Sequence, residues 1–171
     1  MADLKVGTVA RWQPLSPILA TFVLRPQDDA PFPDYEAGQY IALRREQCKL
    51  TKAEVGPDGV KRYVPDLDAA GVQKLGPVTH SYSIASAPFE SQQGGHLEFY
   101  IVLELDEKKT PGRLSGNFFD TGNVAGARVT YVNRITGHFT LAKLAKGFRN
   151  VVLVGTGTGL APFVAMVKQQ H

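Results

Sequence analysis

The sequence contains a single cysteine, Cys48, among its 171 residues. One cysteine excludes an intramolecular disulfide, a cysteine-ligated zinc site and a four-cysteine iron–sulfur cluster within this chain. We therefore predict that the chain holds no metal. A lone thiol is also typical of the reducing cytoplasm, which we expect as the compartment.

Long apolar runs and a strong charge are missing as well. The longest aliphatic run, Val151–Val154, is far too short to cross a bilayer, and no apolar segment near the start indicates a secretory signal. The net charge of +3 is too small to indicate a nucleic acid or a membrane surface as partner. Residues 44–62 carry six basic residues against three acidic ones, a surplus of three that equals the net charge of the whole chain.

Alternation of apolar and polar residues with a period of two dominates the first three-quarters of the chain. It is clearest where Leu97, Phe99, Ile101 and Leu103 point to one side. Six short strands separated by glycine and proline turns predict a mainly β fold, either an antiparallel barrel or a sandwich. The other five predicted strands are 4–10, 18–24, 39–44, 78–85 and 128–134.

Two segments interrupt the predicted strands. Residues 111–119 predict one or two helical turns, with Leu114 and Phe118 on one face. Residues 44–76 form an excursion, in which the turn at 56–59 is predicted to join two strands of a hairpin. We expect a short helix over residues 66–75 to complete the excursion.

The pattern changes at residue 148. Val151–Val154 predicts a strand buried on both faces, and Gly155-Thr156-Gly157-Thr158-Gly159 and a helical pattern over 160–170 follow it. This order is typical of the start of a phosphate-binding βα unit, although Leu160 replaces the last glycine of G-x-G-x-x-G.

One strand and one helix cannot build a sheet, so we expect a longer parent protein. Several apolar residues should then lie partly uncovered, namely Val152, Leu153, Phe163 and Val167. We predict two domains, a barrel over residues 1–147 and a truncated second domain over 148–171.

Polar side chains concentrate at His80-Ser81-Tyr82-Ser83. A solvated edge strand explains them as well as a flat polar ligand does, to which Tyr82 would offer a ring and Ser83 a hydrogen-bond donor. Gly112-Arg113-Leu114-Ser115 opens the predicted helix, where free N–H groups and Arg113 would bind an anion or form an ordinary cap.

The order of these motifs resembles that of the ferredoxin–NADP⁺ reductase superfamily. Ser81–Ser86 is similar to its Arg-x-Tyr-Ser flavin signature, Glu98–Val102 to the next strand, and Gly112–Ser115 to its phosphate turn. Gly137–Leu141 resembles the short motif before the linker in bacterial-type members, and Gly155–Phe163 resembles the opening of the nicotinamide domain.

The resemblance implies a six-stranded antiparallel Greek-key barrel with one short helix that binds FAD, followed by a Rossmann-like start. It implies that Tyr82 contacts the isoalloxazine and ribityl groups and that Ser83 hydrogen-bonds flavin N5, so both are candidate catalytic residues. The other implied cofactor-binding residues are His80, Ser81, Tyr100, Ile101 and Val102 along the ring and ribityl, Arg113, Leu114 and Ser115 at the pyrophosphate, and Thr156 and Thr158 near the flavin–nicotinamide junction.

The chain departs from the family pattern in two places. His80 stands where the family has arginine, and neutral imidazole lacks the permanent charge and forked donors of that residue. Arg113 and the helix start would then carry more of the phosphate binding, and FMN stays open beside FAD. The excursion over 44–76 is the second departure, because this connection is often short.

The implied function is a flavin-dependent oxidoreductase that moves electrons between NADPH or NADH and ferredoxin or flavodoxin. Hydride would pass between nicotinamide C4 and flavin N5. The basic surplus at 44–62 would dock an acidic ferredoxin or simply solvate the excursion. Alternatives are the reductase component of a multicomponent oxygenase and, for these 171 residues alone, a flavin-binding module without NAD(P)H activity. A chain that bound no flavin would leave a barrel used for protein interaction.

Overall fold

Eight strands account for most of the regular structure in a computed structural model that describes residues 3–28 and 30–170. Six of them form one antiparallel sheet in the order β6-β3-β8-β1-β2-β7, and β4 and β5 form a separate hairpin. The predicted six-stranded antiparallel fold is confirmed. The strands are β1 (Leu4–Ser16), β2 (Leu19–Pro26), β3 (Tyr40–Lys49), β4 (Thr51–Val55), β5 (Lys61–Pro65), β6 (Leu75–Ser83), β7 (Leu97–Val102) and β8 (Arg128–Thr136).

The sheet curls into a half-barrel whose two edge strands, β6 and β7, approach each other. Beyond the end of β6, the N–H of Ala85 donates a hydrogen bond to the carbonyl of Glu98 on β7 at 2.8 Å. Because β6 and β7 are the two ends of the strand order, the sheet stays open along the rest of this seam.

Aromatic side chains fill the inside of the curl. The ring of Phe22 lies 5.0 Å from that of Phe99 and 5.2 Å from that of Phe118, and all three are fully buried. Phe118 belongs to a helical segment made of α2 (Arg113–Asn117) and a π-helical turn (Phe118–Gly122). The predicted pairing of Leu114 and Phe118 on the buried face of this segment is confirmed.

Three more helices lie outside the sheet, α1 (Pro88–Gly94), α3 (Leu141–Leu144) and α4 (Leu160–Gln170). The sequence pattern predicted α4 and missed α1. At the start of α1 the Glu90 carboxylate accepts the N–H of Ala87 at 2.7 Å, and Gly95 ends the helix with φ of 59°. None of the helices in residues 3–28 and 30–170 is long and apolar enough to cross a membrane.

The excursion contains the predicted hairpin, but the helix expected over 66–75 is wrong. Asp68 Oδ1 accepts the N–H groups of Ala70 and Val72 at 2.8 and 3.0 Å, and Gly71 has φ of +78°. The aspartate side chain thus satisfies backbone donors in a tight turn, which competes with helix formation. Leu67 and Gln73 are bridged across this turn.

The strand predicted at Val151–Val154 is also wrong. This segment pairs with no strand in the described part of the chain, and Val152 and Val154 are 86% and 81% exposed. A strand needs a neighbour to satisfy its backbone groups, and none lies beside it here. A short 3₁₀ turn (Gly157–Gly159) and α4 follow, and α4 buries Ala165 and Met166 against Ala37.

Candidate functional site

The open seam between β6 and β7 brings together two motifs that are distant in the sequence. Strand directions alternate across the sheet, so the two edge strands are antiparallel. Starting from the Ala85–Glu98 hydrogen bond, Ser83 is two residues back along the chain and Tyr100 two residues on. Ser83 and Tyr100 therefore flank the seam where it opens.

Tyr82 faces the inside of the curl. It pairs with Ile41 of β3, which is fully buried, and His80 pairs with the equally buried Leu43. The Tyr82 ring meets the ring of Phe118 edge to face, with centroids 6.0 Å apart and planes at 76°. Burial raises the pKa of Tyr82 far above its usual range, so the phenol stays protonated at neutral pH.

The two serines of the motif lie on the opposite face of β6, because side chains alternate along a strand. Ser81 is exposed and pairs with Ala42, while Ser83 is half-buried and pairs with Tyr40. A ligand lying over the free edge of β6 would thus meet Tyr82 from one face of the strand and Ser83 from the other.

The predicted residues of β7 differ in what they expose. Ile101 is fully buried in the core, so its side chain does not face the seam surface. Tyr100 and Val102 are half-buried on the other face. One edge of β7 pairs with β2, and its other edge faces the seam.

The start of α2 offers mainly backbone groups. Leu114 is fully buried, and the Oγ of Ser115, 3% exposed, accepts the N–H of Glu104 at 3.2 Å. Arg113 is half-buried and is the predicted phosphate contact whose side chain reaches the surface. The N–H groups of the first turn of a helix lack intrahelical acceptors, which favours an anion there.

A carboxylate that the sequence motifs did not indicate lies beside this turn. A Cβ built on Gly112 would stand 2.9 Å from Glu104 Oε2 and 2.8 Å from Ser115 Oγ. The backbone N–H of Gly112 also donates to the Glu104 carbonyl at 2.8 Å. Glu104 therefore adds negative charge at the position where the sequence predicted anion binding.

A cavity of about 510 Å³ adjoins the start of α2. Gly112, Arg113 and Gly116 line one side of it, and Tyr63 and Val64 of the β4–β5 hairpin line another. The excursion, whose role the sequence left open, thus forms a wall of the cavity next to the predicted phosphate turn.

Arg45 of β3 anchors the helical segment through its guanidinium group. Its Nε donates to Asn117 Oδ1 at 2.7 Å, its Nη2 to Thr121 Oγ1 at 3.0 Å, and its Nη1 to the Arg128 carbonyl. The guanidinium carbon lies 5.8 Å from the centroid of the Phe118 ring. Nothing local in the sequence indicated this role, because every partner is more than 70 residues away.

The glycine-rich segment reaches the same side of the molecule. Its 3₁₀ turn packs beside β7, with Thr156 exposed and Thr158 half-buried. A Cβ on Gly155 would stand 2.7 Å from the ring of Phe163, so glycine permits the close contact with α4. Thr158 therefore lies beside β7, one edge of the seam, and Thr156 directly precedes the turn.

The basic surplus of residues 44–62 is largely neutralised by neighbouring carboxylates. Arg44 pairs with Glu46 at 2.8 Å and Lys52 with Glu54 at 2.9 Å. Arg62 pairs with Asp58, and Lys49 lies 3.4 Å from Asp120, which is outside the excursion. This pattern favours solvated ion pairs over an open cationic docking surface.

No group of three or more potential metal ligands occurs within residues 3–28 and 30–170.

Solved structures resemble the chain, whereas no family profile and no curated protein matches it. The FAD/NAD-binding domain of a nitric oxide dioxygenase from Vibrio cholerae is 19% identical with a TM-score of 0.68, over 99% of this chain and 57% of that one. A ferredoxin–NADP⁺ reductase from Neisseria gonorrhoeae, with bound FAD and NADP, is 20% identical with a TM-score of 0.59, over 99% and 52%. The ferredoxin reductase in carbazole 1,9a-dioxygenase is 21% identical with a TM-score of 0.57, over 97% and 38%.

The chain thus spans little more than half the length of the first two of these proteins. At such low identity the likeness concerns the fold, and it extends over almost every residue of this chain. The chain shares the fold of these FAD- and NAD(P)-binding reductase structures, in agreement with the fold that its sequence resemblance implied.

Proposed function

We propose that this chain binds FAD along the β6–β7 seam and is part of a flavin-dependent oxidoreductase that uses NADPH or NADH. The observation that carries the proposal is the convergence of Tyr82–Ser83 and Tyr100–Val102 on one open seam. A flat heteroaromatic ring needs an aromatic contact and several hydrogen-bond partners along its edge, and the free edges of two antiparallel strands supply both.

The isoalloxazine ring would lie over the free edge of β6. Tyr82 holds a protonated phenol on one face of the strand and Ser83 a hydroxyl on the other. The backbone of Tyr100, Ile101 and Val102 would hold the ring from β7. Bound flavin would supply hydride exchange with nicotinamide at N5 and release of single electrons, chemistry that no side chain can perform.

The fit also favours FAD over FMN. The first-turn N–H groups of α2 and the Arg113 side chain would bind phosphate. The 510 Å³ cavity beside them has the volume of a small-molecule site, with room for the adenosine end that FMN lacks. His80 lies opposite the buried Leu43 and lacks the permanent charge of arginine. Arg113, with Lys49 and Lys108 in the same cavity lining, would supply the positive charge.

The chain's own groups would position reactants and exclude water. Ser83 would donate a hydrogen bond at the reacting edge of the ring, and Thr156 and Thr158 would lie where the nicotinamide approaches. We assign residues 1–147 to the flavin-binding half and 148–171 to the beginning of an NAD(P)-binding domain in a cytoplasmic protein. No protein acid–base pair is required, because orientation of the two rings provides the main contribution.

The electron acceptor we propose is a one-electron carrier such as ferredoxin or flavodoxin. Ion pairing within residues 44–62 argues against this segment as the docking surface, since its charges are locally compensated. The likeness to the ferredoxin reductase in carbazole 1,9a-dioxygenase supports a second candidate, the reductase component of an oxygenase. Residues 1–171 alone would bind flavin and lack NAD(P)H activity.

Flavin titration of the purified chain tests the proposal. We expect visible flavin absorbance, or quenching of added flavin fluorescence, with FAD bound more tightly than FMN and FMN more tightly than riboflavin. Arg113→Gln should weaken FAD binding by roughly tenfold or more, since a hydrogen bond to a charged group is lost. The control, Arg134→Gln, changes an exposed arginine of β8 and should bind as the unmodified chain does. A folded, colourless chain that no flavin reconstitutes would overturn the proposal.

A further inference from the structure

One lysine near the end of α4 binds two carboxylates of the half-barrel. Lys168 Nζ lies 3.0 Å from Glu90 Oε2 on α1 and 3.3 Å from Glu98 Oε2 on β7. The side chains of Lys168, Glu90 and Glu98 are 34%, 29% and 19% exposed. This cluster therefore joins three separate elements through one partly desolvated cation.

Among residues 3–28 and 30–170, the cluster differs from the other lysine ion pairs, each of which involves one carboxylate. The pair of Lys5 with Asp28 is 3.4 Å long and 37% and 50% exposed. Burial lowers the pKa of Lys168, but the hydrogen bonds to and charges of Glu90 and Glu98 raise it by more, so the ammonium stays charged. Removal of this cation would leave two half-buried carboxylates, of which Glu98 keeps an ion pair with Arg11, itself 59% exposed.

Glu98 is also the residue at which the seam closes. Its carbonyl accepts the N–H of Ala85 at 2.8 Å, and its N–H donates to Ser86 Oγ at 3.1 Å. Lys168 is thus attached to the closed end of the seam, beside the strand positions that lead to Ser83 and Tyr100. At the other end of α4, the helix follows directly from the Gly157–Gly159 turn that packs beside β7.

We propose that Lys168 is a positioning residue that fixes α4, and with it the Gly155–Gly159 segment, against the closed end of the β6–β7 seam. The buried contact of Ala165 and Met166 with Ala37 holds the middle of α4. Phe163, near the start of α4, packs against the ring of Phe139 with centroids 5.7 Å apart. The ionic contact at Lys168 adds a separate attachment near the end of the helix. Because the helix carries the glycine-rich turn at its start, its angle sets how that turn faces the seam.

The consequence for catalysis rests on the proposed function. If the turn binds the dinucleotide and the seam binds the flavin, Lys168 sets the alignment of the two rings without touching either. Misalignment of about 1 Å between reacting groups can cost on the order of a hundredfold in rate.

Hydrogen exchange of the purified chain tests the positioning role directly. Lys168→Met keeps the apolar stem of the side chain and removes the charge. We expect the amides of residues 157–170 to exchange several-fold faster in this variant, with the amides of β1–β3 unchanged. High salt should produce the same change in the unmodified chain, because exposed and half-exposed ion pairs are screened. Lys168→Arg should restore slow exchange.

Lys5→Met is the matched control, since it removes an exposed lysine ion pair on β1. It should leave exchange over residues 157–170 unchanged. Equal exchange over those residues in Lys168→Met and the unmodified chain would overturn the proposal. If Lys168→Met fails to fold, Glu90→Gln, which removes one of the two carboxylates, should raise exchange over the same residues, and no change there would likewise overturn it.

In the full-length protein, Lys168→Met should lower the rate of flavin reduction at saturating NAD(P)H by roughly tenfold. Flavin affinity should not change, since Lys168 is placed at no flavin contact. A chain that binds no flavin would overturn the proposed function and leave the exchange result as a test of Lys168 by itself.

Discussion

The rings of Tyr82 and Phe118 stand edge to face, with their centroids 6.0 Å apart. This pair connects β6, which carries the proposed ring contact, to the helical segment whose start would bind phosphate. Arg45 lies over the ring of Phe118, with its guanidinium carbon 5.8 Å from the ring centroid, and donates three hydrogen bonds to that segment and to β8. The two ends of the proposed flavin site therefore depend on one another through a single buried ring.

We expect Arg45→Met to lower the free energy of unfolding by about 2–3 kcal/mol, because Asn117 and the Arg128 carbonyl lose a charged donor. Urea unfolding followed by Trp12 fluorescence measures the change. Arg44→Met is the control, since its ion pair with Glu46 is partly exposed and should contribute less than about 1 kcal/mol. Equal losses in the two variants would contradict the anchoring role of Arg45.

Ser83→Ala in the full-length protein should slow flavin reduction by NAD(P)H about tenfold and change flavin affinity by much less. The proposed hydrogen bond acts on the reacting edge of the ring, and one such bond contributes about 1–1.5 kcal/mol. Stopped-flow reduction and flavin titration separate the two effects. Thr79→Ala, at an exposed position on the same face of β6 and outside the implied flavin contacts, is the matched variant. Unchanged reduction rates in Ser83→Ala would exclude the role.

Glu104→Gln should tighten FAD binding, because a like charge next to the Gly112–Arg113 turn opposes a pyrophosphate. At separations of several ångströms in a solvated site the gain is roughly fourfold, and it should shrink as salt is added. Glu107→Gln removes an exposed charge from the same loop and serves as control. Fluorescence titration with FAD gives the dissociation constant of each variant. Weaker binding in Glu104→Gln would contradict the repulsion and show that the carboxylate contributes a hydrogen bond to FAD.

Alkaline pH should destabilise the fold through Tyr35. Its hydroxyl donates to the Ser86 carbonyl at 2.9 Å, and burial raises the pKa of Tyr35 to about 12. The folded chain thus holds this proton more tightly than the unfolded chain, whose tyrosines titrate near pH 10. The contribution of Tyr35 to the free energy of unfolding is therefore complete below about pH 10, and it is lost as the pH rises through about 12.

Melting temperatures recorded across that interval should fall more steeply for the unmodified chain than for Tyr35→Phe. The variant should be less stable at neutral pH, since it lacks the hydrogen bond to Ser86. Tyr63→Phe, in which the changed side chain is largely exposed, should follow the unmodified chain. Parallel curves for the unmodified chain and Tyr35→Phe would count against burial of this hydroxyl.

The strands of the half-barrel were predictable because one face of each is buried, and alternation records that burial directly. Leu114 and Phe118 were predictable for the same reason, at helical spacing. The helix predicted over residues 66–75 was wrong because the Asp68 carboxylate accepts hydrogen bonds from local backbone N–H groups. A helix would need those N–H groups for its own backbone hydrogen bonds. The strand predicted at Val151–Val154 was wrong although its composition suits a buried strand, because no strand within residues 3–28 and 30–170 pairs with it.

The residues of the candidate site also divide into those named from the sequence and those found only in the structure. Tyr82, Ser83 and Arg113 were named as candidates from short motifs, since residue type and order indicate their chemistry. Glu104 and Arg45 were missed because their roles arise only when distant segments meet, as when Arg45 reaches Asn117 across 72 residues. Ile101 illustrates a third case, in which a residue named from the sequence lies fully buried in the core.

Residues 50–74, which contain the β4–β5 hairpin, begin and end at neighbouring points of the main sheet, because Lys49 of β3 pairs directly with Leu75 of β6. A short turn could therefore replace everything between these two residues without altering a single pairing of the half-barrel. The hairpin can therefore change in length or sequence while the strand pairing of the half-barrel stays the same. Variation confined to this segment would retune the cavity beside Arg113 and leave the seam between β6 and β7 intact.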